Sequence, residues 1–501
     1  MLDETLAQSS LIRLDFLAEN RSLIDRVSLC LSWQSEPEMK FLTTLPCFDN
    51  NVWVTYPELE KILASRLTKN PKVSHQTFSF LLLRSLKRSI PGVAVELLFR
   101  LFSPRFRVCE KIGGSESRIL GFTYSNLDPL DSNFFNNSKF WGPLPSWLKS
   151  RIETTWLGLD SKRPRQKFEN DIRQTRLILG ACIRFLKSFR KRWRFWRSLR
   201  SRCSDIEIFS IIQKEYRRAI MGSPAFEAEY FEAMFNDLLA KTSAKTVLIP
   251  HENQLWERVL CMSAKQKGLR VLGFLHTTPR FWDLRFFDFG RWDILQPNLF
   301  ISGGKAYERV LLEGGVSHNR ILKATALRFQ HLSTKRTFEI DKCTIDQPVR
   351  VLVVTGVNRT ASTELIKLVS QANLPGLTSI RLRPHPGNAE WIKRKFPEYE
   401  TEDRDFESYL SEYSLFVTDS VSSLALEFAN FGKRTAVFVK GDSLNFSPLY
   451  FFTNFDSYFW DSHSLSKMLT TNSAILGIRE MLDLPNQMDI WLTSLGKVVS
   501  D

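Results

Sequence analysis

VRVLVVTGVNRTASTELIKLVSQANLPGLTSIRLRPHPG, residues 349–387, carries the clearest pattern of regular structure in the chain. It opens on an apolar strand, turns polar, runs as a helix from Thr360 to Ala372, and returns to an extended segment at "SIRLRP". A strand, a helix and a second strand in this order imply parallel strands joined by a crossover on one face of a sheet. The alternation then repeats: a helix near Trp391, the strand "LFVTD", the helix "SSLALEFANFG" and the strand "TAVFV". Four strands alternating with three helices predict a doubly wound α/β domain, with ligands at the carboxyl ends of its strands.

A comparable series stands upstream. Ile119 to Thr123 reads as a strand running into a polar loop, and "FWGPLPSWLKS" starts a helix. After a basic segment come the strand "TVLIP", the helix "ENQLWERVLCMSAKQKG" closed by Gly268, and the strand "RVLGFLH". Between the two series, "HLSTKRTFEIDKCTIDQP" is polar and aperiodic and suits a linker. The expected organisation is therefore a mainly helical N-terminal extension over 1–115, a first Rossmann-like domain over 116–330, a linker over 331–348, a second such domain over 349–475, and a C-terminal helical segment over 476–501. A chain of 501 residues with 43% hydrophobic content is ample for two cores.

The opening "MLDETLAQSS" lacks the basic-then-apolar layout of an export signal, and the apolar stretch from Thr77 to Phe102 is broken by Arg84, Lys87, Arg88 and Glu96. Neither export nor a membrane span is expected. Seven scattered cysteines without a CxxC pair point to a reduced cytoplasm and away from a structural zinc or iron–sulfur site.

The formal net charge is +15, and "RFLKSFRKRWRFWRSLRSR", Arg184 to Arg202, carries nine basic residues and no acidic one. Leu186, Phe189, Trp193 and Trp196 fall at i, i+3, i+7 and i+10, one face of a helix flanked by cations. Such a segment suits an anionic membrane surface, with Arg190, Lys191, Arg192, Trp193, Arg194 and Trp196 as the contacts. Internal packing of the aromatic face is the competing reading. Nucleic acid is not expected as a partner, because no recognised binding module accompanies the patch.

The residues with chemical potential gather at strand ends. His385 follows "SIRLR", and "TDSVSS" follows "LFV", with Ser422 and Ser423 opening the next helix. Hydroxyls at a helix start beside Arg383 and His385 on a neighbouring strand end suit a pyrophosphate. Glu427, one turn further along, is placed for a ribose or sugar hydroxyl. In the first domain, His276, Glu252 and Asp128 each lie just past a strand, and a histidine titrates where a general base works. No paired-aspartate motif stands at a strand end of the second domain, so no metal is expected at the leaving phosphate.

The pairing of "RPHP" with "TDSVSS…E…G" resembles the donor half of GT-B glycosyltransferases, especially bacterial sialyl- and Kdo-transferases and the CDP-glycerol glycerophosphotransferases. "FTYSNLDP", "KFWGPLP", "PHENQLWE" and "GFLHTTPRFWD" add a likeness to bacterial surface-carbohydrate (capsule and O-antigen) biosynthesis proteins. The resemblance spans about Ile119 to Val439. It implies two facing Rossmann-like domains and assigns His385, Ser422 and Ser423 to the nucleotide phosphates and His276 to the acceptor hydroxyl. One departure is "GKRT" where many of these enzymes carry Gly-x-Pro after the acidic helix. The implied activity is transfer of a sugar from a nucleotide donor, CMP-linked first, to a lipid-linked or growing surface glycan, by an enzyme peripheral on the inner face of the cytoplasmic membrane. No cofactor is expected, the nucleotide sugar being the substrate. Transfer of a polyol phosphate from a CDP donor, a silent nucleotide-binding scaffold and a GT-B sugar-nucleotide epimerase are the alternatives.

Overall fold

The structure is a computed structural model. It describes residues 107–468 apart from 113–116, 125–129, 132–133, 139, 161–171, 203–216, 218, 277–292, 325–326, 328–348, 405, 440–446, 448 and 450–457, together with Trp491 and Leu495. The linker, nearly all of the N-terminal extension and Asp128 lie outside the described residues.

Two sheets carry the fold. The first has seven strands: β1 (Arg107–Ile112), β2 (Ile119–Tyr124), β3 (Thr154–Asp160), β4 (Thr246–Pro250), β5 (Arg270–Phe274), β6 (Leu299–Ser302) and β7 (Ile321–Lys323), in the spatial order β1-β3-β2-β4-β5-β6-β7. All neighbours are parallel except β1 and β3. Every residue of β2 and of β4 is buried, as expected of strands covered on both faces, and that is why they read as continuous apolar runs. β1 falls within the stretch expected to be an N-terminal extension, yet it closes the edge of this sheet.

Helices α1 (Phe134–Asn137), α2 (Leu144–Lys149), α3 (Ile172–Arg202), α4 (Ser223–Leu239), α5 (Leu255–Gln266) and α6 (Lys305–Glu313) accompany it. Phe185, Phe226, Phe231 and Phe235 of α3 and α4 join Phe122, Trp256 and Val271 in one core. On the opposite side, Trp141, Trp156, Leu272 and Phe274 pack with Trp491 and Leu495. The far end of the chain therefore seals the core of the first sheet.

The basic helix α3 is held by a buried ion pair. Arg192 and Glu229 of α4 are both fully buried, with Nη2 to Oε1 at 2.9 Å, and Arg192 Nε also donates to Ser188 Oγ at 3.1 Å. Burial draws the Arg192 guanidinium below its ordinary pKa, with Glu229 opposing the shift. Arg192 and Trp196, expected at a membrane face, thus point into the protein. The sequence pattern placed Trp196 with Leu186, Phe189 and Trp193, but the packed face of α3 runs through Ile178, Ala181, Phe185, Arg192, Phe195 and Trp196. Among the described residues no helix is long and apolar enough to cross a membrane.

The second sheet has five parallel strands, β8 (Val349–Val354), β9 (Leu377–Arg383), β10 (Leu415–Asp419), β11 (Thr435–Phe438) and β12 (Tyr458–Phe459), in the order β12-β11-β10-β8-β9. Helices α7 (Arg359–Gln371), α8 (Ala389–Lys395), α9 (Phe406–Tyr409), α10 (Leu424–Asn430) and α11 (Ser462–Met468) complete the domain. Asn358 starts α7 by accepting from the backbone of Thr360 and Ala361, an ordinary N-cap. Both sheets are doubly wound, as expected. In each, the first strand of the series lies between the second and the third, so the direction of winding reverses beside β2 and beside β8.

Candidate functional site

In open α/β sheets, ligands bind where the winding reverses, at the carboxyl ends of the two strands that flank the reversal. In the second domain those strands are β8 and β10. β10 runs into Ser420–Ser423, and β8 runs into Thr355, Gly356 and Val357. Gly356 lies against the carboxylate of Asp419: a Cβ placed on it would stand 2.9 Å from the Asp419 Cγ, and nearer still to one oxygen. Only glycine permits that approach.

β9 lies on the far side of β8. The histidine loop and the serine loop are therefore not at adjacent strand ends, as the sequence suggested, and the β8 loop stands between them. Asn388 makes the connection. Its Nδ2 donates to the carbonyl of Gly356 at 3.1 Å and also to that of Val357, while its backbone N–H donates to the carbonyl of His385 at 2.8 Å. Ser362 Oγ donates to Gly356 O as well, at 3.2 Å. The "RPHPGN" turn is thus tied to the switch point through a side chain that nothing in the sequence singles out.

His385 is exposed, and its Nδ1 accepts the N–H of Gly387 at 3.1 Å. Partial enclosure by the protein around the ring lowers its pKa. With Nδ1 engaged, Nε2 is the nitrogen available to a ligand. Ser423 begins α10 without a side-chain cap bond to the helix. Glu427 falls in the first turn of the same helix.

Arg383 is placed differently from the expectation. Its Nη1 donates to the carbonyls of Arg404 at 2.8 Å and Glu402 at 3.3 Å, and its guanidinium lies over the Tyr409 ring at 5.0 Å. Arg381 pairs with Glu400 at 2.5 Å. The arginines of "SIRLR" thus serve first to fasten an exposed edge strand to the segment that follows it, a role that edge strands require.

In the first domain the reversal lies between β2 and β4. After β4 the chain reads His251, Glu252, Asn253 and Gln254, with Asn253 in the left-handed region at φ 58°, a conformation asparagine tolerates. Arg258 Nη1 donates to Asn253 O at 2.6 Å, and Gln296 Nε2 donates to Asn253 Oδ1 at 3.3 Å. Fully buried Glu257 organises the loop. Its Oε2 accepts the N–H groups of Glu252 and Gln254 at 2.8 and 3.1 Å and lies 3.1 Å from His251 Nδ1, and its Oε1 accepts from Tyr124 Oη at 3.4 Å. Burial, then the charges of Glu257 and Glu252, raise the Tyr124 pKa well above its ordinary value, so the phenol remains a donor. Gly273 of β5 makes room here, since a Cβ on it would be 3.0 Å from the His251 Cβ and 2.5 Å from Pro297 Cγ.

His276 and Glu252 come together as the strand-end reading anticipated: Nε2 and Oε1 are 3.0 Å apart. Gln254 Nε2 donates to the other Glu252 oxygen at 2.6 Å, and Trp256 Nε1 fixes Gln254 at 3.1 Å. Phe140 meets the His276 ring edge-on at a centroid distance of 4.9 Å. The His276 side chain is 3% exposed and that of Glu252 is 14% exposed. The carboxylate is therefore the member of the pair more open to a substrate. Asp128 lies outside the described residues. Nothing in the sequence singles out His251 or Glu257: Glu257 accepts the N–H of the N-cap residue three positions back, as in a capping box, but that residue is Gln254 and not the serine, threonine, aspartate or asparagine by which the motif is read.

No protein-family model matches the chain, and no curated protein matches it by sequence. Solved structures similar to it include Anabaena HepE in complex with UDP, at TM-score 0.37 and 10% identity over 54% of this chain and 82% of that one. The UDP-GlcNAc 2-epimerase from Methanocaldococcus jannaschii is similar at TM-score 0.34 and 11% identity, over 55% and 84%. The Acinetobacter baumannii MurG is similar at TM-score 0.33 and 12% identity, over 52% and 73%.

Proposed function

We propose that the chain is a GT-B glycosyltransferase that moves a sugar from a nucleotide donor, CMP-linked in the first instance, onto a lipid-linked or growing surface glycan at the inner face of the cytoplasmic membrane. The observation that carries the reading is the convergence at the β8/β10 switch point. Gly356, the Asp419 carboxylate and the Ser422–Ser423 loop meet there, and Asn388 ties the His385 turn to the same place.

In this reading His385 Nε2 and the hydroxyls of Ser422 and Ser423 hold the donor phosphate and stabilise the charge that develops on it as the nucleotide leaves. Arg383 adds positive potential from behind the turn, and Glu427 takes a hydroxyl of the donor. The acceptor hydroxyl loses its proton to the Glu252–His276 pair, its oxygen bonds to the anomeric carbon, and the bond from that carbon to the phosphate oxygen breaks, releasing CMP. Glu252 is the contacting group, and His276 orients it and shares the proton. Asp128, which the sequence reading put just past a strand, is assigned to acceptor positioning.

The test begins with ligands. CMP-, CDP-, UDP- and GDP-linked compounds are screened for thermal stabilisation, since a ligand that binds only the folded chain raises its apparent stability. The stabilising donor is then assayed for transfer to lipid-linked acceptor. Stabilisation by CMP-linked sugars followed by glycosyl transfer is the expected result. Release of CMP from a CDP-polyol, with the polyol phosphate transferred, would replace the reading with phosphotransfer. Binding without turnover would leave a nucleotide-binding scaffold.

A further inference from the structure

Among the described residues, seven large apolar side chains are exposed, and five of them lie on α3: Leu179, Ile183, Leu186, Phe189 and Trp193, from 41 to 68% exposed. They do not belong to the face that packs on α4. The spacing 179, 183, 186, 190, 193, 197 alternates four and three residues, which makes a straight stripe along one side of a helix. At about 1.5 Å per residue, the 31 residues of α3 extend for roughly 46 Å. Lys187, Arg190, Lys191, Arg194 and Arg197 are exposed on the same helix, and no acidic residue occurs anywhere in it.

We infer that this outer stripe of α3 is an interfacial membrane contact for an anionic bilayer, with the aromatic and aliphatic side chains entering the headgroup boundary and the flanking cations holding the lipid phosphates. Charge decides the occupant. A second copy of the helix would bring Arg190 and Arg197, which stand in the seam itself, against the same cations, with no carboxylate on either helix to offset them. A bilayer accommodates both features, because long basic side chains keep their heads in the aqueous layer while their stems lie along the apolar surface. The buried Arg192–Glu229 pair fixes the rotation of α3 that turns the stripe outward. The inference rests on the proposed function only for the whereabouts of the acceptor, since the surface itself is read from α3 alone.

The test uses the full chain and sedimentation with vesicles of phosphatidylcholine, with and without phosphatidylglycerol. The parent should bind only the anionic vesicles, and binding should weaken as salt screens the charges. Replacing Leu186 and Trp193 by Ser, or Lys187, Arg190, Lys191 and Arg194 by Gln, should lower binding roughly a hundredfold or more. All six positions are exposed, so the thermal midpoint and the stabilisation by nucleotide should stay at parental values. Equal sedimentation of parent and variants, or no binding by the parent, would overturn the inference. So would a concentration-dependent dimer of the parent that the Leu186→Ser, Trp193→Ser variant abolishes, which would assign the stripe to a second copy. Vesicle binding without any transferase activity would sink the proposed function and leave this surface standing.

Discussion

Gly356, in the loop after β8, and Asp419, the last residue of the neighbouring strand β10, are 63 positions apart in the chain and in contact where the second sheet reverses its winding. A methyl group on Gly356 would press directly on the Asp419 carboxylate, which is buried. Gly356→Ala should destabilise the protein by about 1–3 kcal/mol, the scale of overpacking, and should erase stabilisation by nucleotide. Urea unfolding and nucleotide titration of the same variant provide the check. An unchanged nucleotide response would separate the switch point from the donor site.

The donor cradle is tested at the side chains assigned to the phosphate. His385→Ala, or Ser422→Ala combined with Ser423→Ala, should weaken donor binding by about 1–3 kcal/mol, as expected for lost charge-assisted hydrogen bonds. Calorimetric titration measures it. Arg383→Gln should act differently, loosening the edge strand as well as the site, because its guanidinium is bonded to the carbonyls of Arg404 and Glu402. Parental affinity in both cradle variants would remove the phosphate assignment.

For the Glu252–His276 pair, the expected outcome is a split between binding and turnover. Glu252→Gln disturbs the bond from Gln254 within one loop of the first domain and touches no residue of the second, so nucleotide affinity should stay parental. Transfer should fall by roughly the 10²–10⁴-fold typical of general-base removal. His276→Ala should lose less than Glu252→Gln if the carboxylate is the contacting group. The reverse order would make His276 the base and Glu252 its support, and full activity in both would move the base elsewhere.

Strand ends were legible because apolar runs bounded by polar loops reveal where a buried parallel strand stops, and His276, Glu252, His385 and Ser422 were all read from that punctuation. Sheet order was not legible. Nothing in "SIRLR" shows that β9 is an edge strand, so its arginines read as anion ligands when they fasten the edge to Glu400 and to the carbonyls of Glu402 and Arg404. The position of β8 between β9 and β10 likewise hid Gly356 and Asn388, whose roles exist only once the three loops are side by side. On α3, two apolar faces share one helix, and the sequence cannot show which of them meets α4. Glu229, which decides it, lies 37 residues away.

Acid should weaken the second domain through Glu402. Arg404 donates to both of its oxygens, and Tyr413 Oη donates to one at 2.8 Å. The hydrogen bonds from Arg404, then those from Tyr413, hold the Glu402 carboxyl at about 2, although burial opposes them. A carboxylate whose pKa is lower in the folded than in the unfolded chain contributes stability that is present in full above the ordinary carboxylate range, and that contribution disappears as pH falls toward the folded value. The thermal midpoint should therefore decline from about pH 5 toward pH 2, and Glu402→Gln should flatten that limb while lowering the midpoint at neutral pH. An acid limb identical in parent and variant would assign the loss to other carboxylates.

The ion pair that seats α3 gives the last expected outcome, because its two members should fail alone and be replaceable together. Arg192→Met takes from the fully buried Glu229 its nearest cation and leaves it the more distant, partly exposed Arg184 at 3.6 Å, and breaking one side of a buried pair typically costs about 3–5 kcal/mol. Glu229→Leu strands the guanidinium in the same way. The double variant removes both desolvation costs and restores apolar packing between α3 and α4, so it should recover most of the lost stability in urea. Its α3 would nevertheless have lost the contact that fixes its rotation. Vesicle binding by the recovered double variant should then be weaker than that of the parent, even though Leu186, Trp193 and every exposed cation are still present. Parental stability with parental vesicle binding would show that apolar packing alone orients the helix and that the buried pair is dispensable for presenting the stripe.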